Sequence, residues 1–351
     1  MVWSPADLLW SLTNRPQFTV FESICANLFL ALVASLGITP AYNLIRGSQF
    51  NPKGKHVYLT GGSTGLGRAV AIDLAKQGAH VTIVARKEGP LKETVELMKQ
   101  AAASRKDAPD QKFHWISADV TDKEQAARAL GEAAANFGGR VPEVIITCAG
   151  ISIPKLFIEN EVEDFEVQMK LNYFGSLYTI HEGAKRMVSA GVKGKIVMVS
   201  STMGLIGFAG YSSYSPTKFA LRGLAESLRN EFLLYGISTH IYYAGTMFTP
   251  GYETENLTKP LVTRQIEGSH GLTPEEAAKG LMAGLRKGHF AVTTDFDTNF
   301  LRVAAKGVTP SANIGWDYVL SLVAPFAATQ VLWEFNYKVK KFGKSLVKKE
   351  L

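Results

Sequence analysis

A short apolar run that turns through glycines into a helix pattern constrains this chain more than any other feature. Residues 56–60, His-Val-Tyr-Leu-Thr, have the length and the β-branched and aromatic content of a buried strand. Gly61-Gly62-Ser63-Thr64-Gly65-Leu66-Gly67-Arg68 follows, and an Ala- and Leu-containing helix pattern runs on to about Gln77. Glycine permits a tight turn and close backbone approach, and the free amides that open the next helix form an anion site. Strand, glycine turn and helix in that order suit a dinucleotide pyrophosphate, although the spacing is Thr-Gly-x-x-x-Gly-x-Gly rather than Gly-x-Gly-x-x-Gly. Strand and helix patterns alternate beyond it, which predicts an α/β fold with a doubly wound parallel sheet.

The next strand pattern, residues 79–85, ends in Ala85-Arg86-Lys87. A carboxylate near this point would hold the ribose 2′-hydroxyl of NAD, and Ala85 has none. Arg86 carries a planar charged fork that matches a 2′-phosphate, which points to NADPH rather than NADH; otherwise the Arg-Lys pair is an exposed basic loop.

Tyr214 and Lys218 are four residues apart and share a helix face. A lysine ammonium beside a phenol favours the phenolate, so Lys218 is expected to draw the Tyr214 pKa down and make it a proton donor to a carbonyl. Ser201, arriving from a strand end, can hold that carbonyl oxygen. With a hydride donor opposite, this is equipment for reducing a ketone. Pro216 is tolerated in a first helical turn, so the helix is predicted to start just before Tyr214.

Taken together these segments resemble the short-chain dehydrogenase/reductase family, from about residue 55 to 300 and in the family's order. Thr60-Gly61-x-x-x-Gly65-x-Gly67 matches its cofactor loop, Asp119-Val120 the pair beside the adenine, and Thr147-Cys148-Ala149-Gly150 its Asn-Asn-Ala-Gly segment. Asn172 matches the helix Asn of a proton relay that runs through water and lysine. Ser201 precedes Tyr214 by thirteen residues, the family's interval, and Ser200 does not. The resemblance implies a Rossmann-type fold and a catalytic set of Asn172, Ser201, Tyr214 and Lys218. It implies that NADPH is held by Gly61, Ser63, Thr64, Gly65, Leu66, Gly67, Arg86, Asp119, Val120, Ala149 and Thr249, with Tyr214 and Lys218 at its ribose. Two departures bear on the site: Thr147 replaces the first Asn, and Ala244-Gly245 replaces the usual Pro-Gly before Thr249. Family members often pair through the Tyr-Lys helix, which leaves a homo-oligomer open.

The chain of 351 residues accommodates one reductase domain, residues 51–302, between an N-terminal segment, 1–50, and a C-terminal one, 303–351. Cys25 and Cys148 are the only cysteines, too few for a disulfide framework, so the domain is expected to face a reducing compartment. The seven histidines show no metal-ligand spacing, and no metal is expected. Of the net charge of +7, the stretch from Lys338 onward supplies +5, six lysines less Glu350. No recognition motif or basic surface interleaved with aromatics accompanies it, so nucleic acid is not an expected partner.

Two apolar runs point instead to a membrane. Residues 23–45 are 23 positions without a charge, and Arg46, Lys53 and Lys55 follow, which predicts an anchor with the domain on the cytosolic side. Residues 318–333 are 16 uncharged positions, suited to an interfacial or re-entrant element or a marginal span. Lys348 and Lys349 stand fourth and third from the end and resemble a dilysine signal of endoplasmic reticulum membrane proteins, which predicts that location.

Within the family, residues 249–260 and the glycine loop are similar to the branch that reduces 3-ketodihydrosphingosine, and this resemblance implies a lipid-like keto-amine as substrate. That stretch reads as a lid over the substrate. The helix after it is expected to be capped by Thr273 and opened by Pro274. A membrane-bound steroid or retinoid reductase would use the same chemistry. A cofactor-binding scaffold without activity is the remaining alternative, and the presence of all four catalytic residues argues against it.

Overall fold

The computed structural model describes residues 50–103, 110–307 and 309–347. The expected anchor at residues 23–45 and the lysines at 348 and 349 lie outside the described residues.

A single parallel sheet organises the described chain. Its strands are β1 (His56–Thr60), β2 (His80–Ala85), β3 (Phe113–Ser117), β4 (Val144–Thr147), β5 (Lys195–Ser201), β6 (Ser238–Ala244) and β7 (Ala291–Val292). They stand in the order β3-β2-β1-β4-β5-β6-β7. Parallel strands buried on both faces read as near-continuous apolar runs, as in Val57-Tyr58-Leu59 and Ile145-Ile146, all inaccessible to solvent. The register pairs Thr60 with Thr147, Thr147 with Met198, and Ser201 with Ala244, so the carboxyl ends of the central strands share one edge. The strand order reverses between β1 and β4, and in such sheets the ligand crevice opens outside the carboxyl edge at that point.

Helices cover both faces. On one face α1 (Gly65–Lys76) and α2 (Glu88–Ala102) bury Leu74, Leu91 and Met98 against the sheet. On the other, α3 (Lys123–Ala135) contributes Leu130. A short helix, α4 (Val162–Gln168), passes through a π-helical segment at Met169–Phe174 into α5 (Gly175–Ser189), which buries Ile180 and Met187 there. The same face receives Leu221 and Ala225 of α6 (Ser215–Glu231). After β6 come two short helices, α7 (Pro250–Thr258) and α8 (Leu261–Glu267), and then α9 (Pro274–Arg286), which returns to the first face through Leu281 and Leu285. Thr273 caps α9 as expected: its hydroxyl accepts from Glu276 N while Glu276 reaches back to Thr273 N, with Pro274 in the first turn.

The chain closes with α10 (Phe296–Ala304) and α11 (Ile314–Val347), a long helix carrying Pro325 in its interior. Arg302 of α10 grips both oxygens of Asp317 of α11 at 2.6 and 3.0 Å, and both side chains are almost fully buried. Leu320 and Ala324 are buried beyond that pair. Among the described residues no single helix is long and apolar enough to cross a membrane. One bent pair, Gly315–Pro325 and Gln330–Phe342 at 46°, has the length and composition for a broken span or re-entrant turn.

Candidate active site

The glycine turn builds an anion cradle. Gly61 takes φ +71° and Gly65 takes φ +53°, the left-handed region that favours glycine. A Cβ at Gly61 would stand 2.7 Å from Ala149 N, so the turn lies directly against the Cys148-Ala149 backbone. Helix α1 then begins with no side-chain cap from Thr64 and no acidic residue in its first turn. Its leading amides, at Gly65, Leu66 and Gly67, stay open for a phosphate. Ser63 and Thr64 sit at the lip, where Arg68 Nε donates to Ser63 O at 3.0 Å and anchors the loop. These residues fit a dinucleotide pyrophosphate.

The other expected cofactor residues follow the carboxyl ends of β2, β3 and β6. Arg86 is exposed just beyond β2. Asp119 lies after β3, its Oδ1 accepting from Thr121 N, and Val120 is buried against Gly175. Thr249 caps α7 by accepting from Tyr252 N at 3.1 Å, and its side chain faces Gly65 across the opening of the cradle.

Ser201, Tyr214, Lys218 and Asn172 meet at the carboxyl ends of β4 and β5. Ser201 ends β5, and its Oγ accepts from Met203 N at 3.2 Å. Ser200 points away, its hydroxyl donating to Lys218 O at 3.1 Å inside the core. This separates the two serines as the thirteen-residue interval does. Tyr214 is the N-cap of α6, which begins at Ser215 rather than before the tyrosine. Lys218 Nζ donates to Val199 O at 3.1 Å and lies 5.5 Å from the Tyr214 ring centre.

Asn172 occupies the π-helical segment, a distortion often found at functional sites. Its carboxamide accepts from Ile151 N at 2.8 Å and donates to Ile151 O and to Thr217 Oγ1. It therefore ties the loop after β4 to α6. A Cβ at Gly150 would stand 3.1 Å from Asn172 Oδ1 and 3.6 Å from Lys218 Nζ, so both groups converge on that glycine.

The electrostatics differ from the expectation for Lys218. Burial, and then the charge of Glu255, hold the Tyr214 phenol above the ordinary tyrosine value; Ser201 acts in the opposite direction and Glu267 adds to the rise. Lys218, itself buried, has its own pKa lowered to about 8. The phenol is thus not drawn toward neutrality in the chain alone, because burial and then the charges of Glu255 and Glu267 outweigh the hydrogen bond with Ser201. Burial pushes the Cys148 thiol up to about 12, which disfavours its thiolate.

The two departures in the sequence have distinct outcomes. Thr147 sits in β4 opposite Thr60, and its buried hydroxyl has no hydrogen-bond partner among the described residues. The bracing falls instead to Thr60, whose backbone oxygen accepts from Cys148 N at 3.2 Å. At the second, Ala244 ends β6 paired with Ser201, and Gly245 lies beside Asp295.

Comparison with known proteins fixes the kinship of this arrangement. The short chain dehydrogenase family matches residues 55–259. The chain belongs to the short-chain dehydrogenase family. A crystal structure of a short-chain type dehydrogenase/reductase from Mycobacterium marinum shares the fold at a TM-score of 0.62, with 24% identity over 70% of this chain and 96% of that one. The chain is 40% identical to a 3-ketodihydrosphingosine reductase of Cryptococcus neoformans, over 84% of this chain and 89% of that protein. It is 38% identical to one of Dictyostelium discoideum, over 74% and 80%, and 37% identical to one of Bos taurus, over 74% and 77%. Short-chain dehydrogenases bind a nicotinamide dinucleotide, and the cradle at Gly61–Gly67 is where this member would hold it.

Reading the sequence alone missed four side chains beside the site: Tyr211, Glu255, Lys259 and Glu267. Tyr211 stands three residues before Tyr214, and its ring centre lies 5.8 Å from that of Tyr214. For Glu255 and Lys259 the available signal was their charge within residues 249–260, already read as a lid; Tyr211 and Glu267 lie outside that stretch.

Proposed function

We propose that this protein reduces the ketone of 3-ketodihydrosphingosine to the alcohol of dihydrosphingosine with NADPH, at the cytosolic face of the endoplasmic reticulum membrane. The observation that carries the reading is the convergence of Ser201, Tyr214 and Lys218 at the sheet edge that also bears the glycine cradle. The names of the relatives supply the substrate. Bound in the cradle, NADPH supplies the hydride. Ser201 donates a hydrogen bond to the carbonyl oxygen and fixes which face of the carbon is open. Tyr214 gives its proton to that oxygen as the carbon is reduced, and Lys218, in a relay with water held by Asn172, would return one. Arg86, exposed beyond β2 and lacking a salt-bridge partner among the described residues, holds the 2′-phosphate.

The membrane reading rests on the apolar run at 23–45 and on α11. Trp316, Tyr318, Trp333 and Tyr337 are exposed on that helix, residues that favour the headgroup level of a bilayer, and Lys338, Lys340 and Lys341 follow. We further propose that two copies pair through α6 and the turn after it, where Phe219, Leu233, Leu234 and Tyr235 are exposed.

Incubating the purified full chain with NADPH and, in separate reactions, 3-ketodihydrosphingosine, a ketosteroid and a retinoid aldehyde tests the reading. Dihydrosphingosine is the expected product, at a rate at least about tenfold above either alternative, a margin of about 1.4 kcal/mol in barrier. Preferential turnover of the steroid or retinoid would overturn it.

A further inference from the structure

The stretch from α7 to α8 holds charges that the reduction step itself does not use. Glu255 of α7 and Glu267 of α8 converge on the ammonium of Lys259 at 2.9 and 2.5 Å, and the Lys259 side chain is wholly buried. Tyr211 donates to Glu255 Oε1 at 2.6 Å and lies 3.4 and 3.5 Å from the two oxygens of Glu267. Thr246 donates to Glu267 Oε1 at 2.9 Å. The Lys259 ammonium also sits 4.5 Å over the Tyr252 ring. Arg264, the other cation nearby, spends its donors on the backbone oxygens of Lys259 and Asn256, not on the carboxylates.

Two carboxylates therefore face one ammonium, and one negative charge is left over in a mostly buried place. The excess has a direction. Glu255 Oε1 accepts from both Tyr211 and Lys259, whereas Glu255 Oε2 accepts no hydrogen bond among the described residues. The same two carboxylates act on Tyr214, whose ring neighbours that of Tyr211. The free oxygen thus belongs to a charge that reaches the proton donor.

A keto-amine of the proposed kind carries its nitrogen on the carbon next to the ketone, and that amine takes a proton near neutral pH. A ketone seated on Ser201 and Tyr214 brings an ammonium beside these phenols. We propose that Glu255 and Glu267, held by Lys259, Tyr211 and Thr246, form the subsite for the ammonium of the substrate, with Glu255 Oε2 as its acceptor. The inference rests on the reductase reading and deepens it. A buried charge-assisted hydrogen bond selects the amine over its absence by roughly tenfold or more. A cation placed there also offsets the charges that hold the Tyr214 proton. The amine then raises kcat as well as lowering KM, because it eases proton donation on its own substrate.

The test compares two ketones of equal chain length with NADPH: 3-ketodihydrosphingosine and the same hydroxyketone without the amine. Wild type is expected to prefer the keto-amine by about tenfold or more in kcat/KM. Glu255→Gln is expected to bring that ratio close to one, and Glu255→Asp to restore part of it. A preference that persists undiminished in Glu255→Gln overturns the subsite, as does a Glu255→Gln chain that loses both reactions in equal proportion while still binding NADPH. Should that variant not fold, wild type decides through inhibition by dihydrosphingosine and by its N-acetyl derivative. Stronger inhibition by the free amine supports the subsite, and equal inhibition overturns it. Equal wild-type turnover of the two ketones overturns the subsite and leaves the reductase reading standing; turnover of neither overturns both.

Discussion

Gly67 has no space for a side chain: a Cβ there would stand 2.1 Å from Gly61 O and 2.8 Å from its carbonyl carbon. Those atoms are backbone of the same turn, so relief means opening the cradle. Gly67→Ala is expected to weaken NADPH binding by about tenfold or more, within the range of overpacking penalties, as read by nucleotide fluorescence titration. Arg86 offers a finer test at the same scale. On the proposal that its exposed guanidinium holds the 2′-phosphate, its loss affects NADPH alone. Arg86→Ala is therefore expected to raise the KM for NADPH about tenfold or more while leaving that for NADH within about twofold. Equal changes for both nucleotides would refute the assignment. Gly67 was legible in the sequence because a glycine turn between strand and helix is local chemistry, whereas the role of Arg86 is a proposal from the missing carboxylate after the second strand. The Glu255–Lys259–Glu267 cluster was not legible, since burying a lysine between two carboxylates depends on how two short helices fold back over Tyr211.

At the scale of elements, the pair between Arg302 of α10 and Asp317 of α11 carries the attachment of the C-terminal helix. In the sequence Asp317 stands directly before the uncharged run at residues 318–333. In the structure it accepts from both Arg302 amino groups and from Ala312 N, and it is the point at which α11 docks. Removing one partner leaves a buried charge unmatched. Asp317→Ala is expected to cost about 3–5 kcal/mol and to raise hydrogen exchange along α11 before the sheet. Unchanged exchange in α11 would mean that Leu320 and Ala324 hold it without the ion pair. The strands and the Thr273 cap were legible from periodicity and capping chemistry, whereas the π-helical segment was not, and the partners of Asn172 within it, Ile151 and Thr217, are distant in sequence.

Across the whole molecule, two buried histidines tie stability to pH. His56 sits against Phe137 with its Nε2 at 3.0 Å from Thr82 Oγ1, and burial lowers its pKa to about 4. His240, with Nδ1 at 2.7 Å from His289 O, is likewise lowered by burial to about 4. An unfolded chain takes up these protons near the ordinary value of about 6.5, and the folded chain holds them off until about 4. Their contribution is therefore complete above about pH 6.5 and declines as pH falls toward 4, by an order of 3 kcal/mol each. The denaturation midpoint is expected to be lower at pH 5 than at pH 7.5, and replacing His56 with Gln should flatten that dependence. The central claim, that this fold brings Ser201, Tyr214 and Lys218 together to reduce a long-chain keto-amine, rests most directly on the phenol of Tyr214. Its measurement is dihydrosphingosine formed from 3-ketodihydrosphingosine and NADPH by wild type and by Tyr214→Phe, with nucleotide binding measured alongside. The expected result is loss of turnover by at least about a hundredfold, the order of one general acid, with NADPH affinity nearly unchanged. Turnover retained by Tyr214→Phe would contradict it.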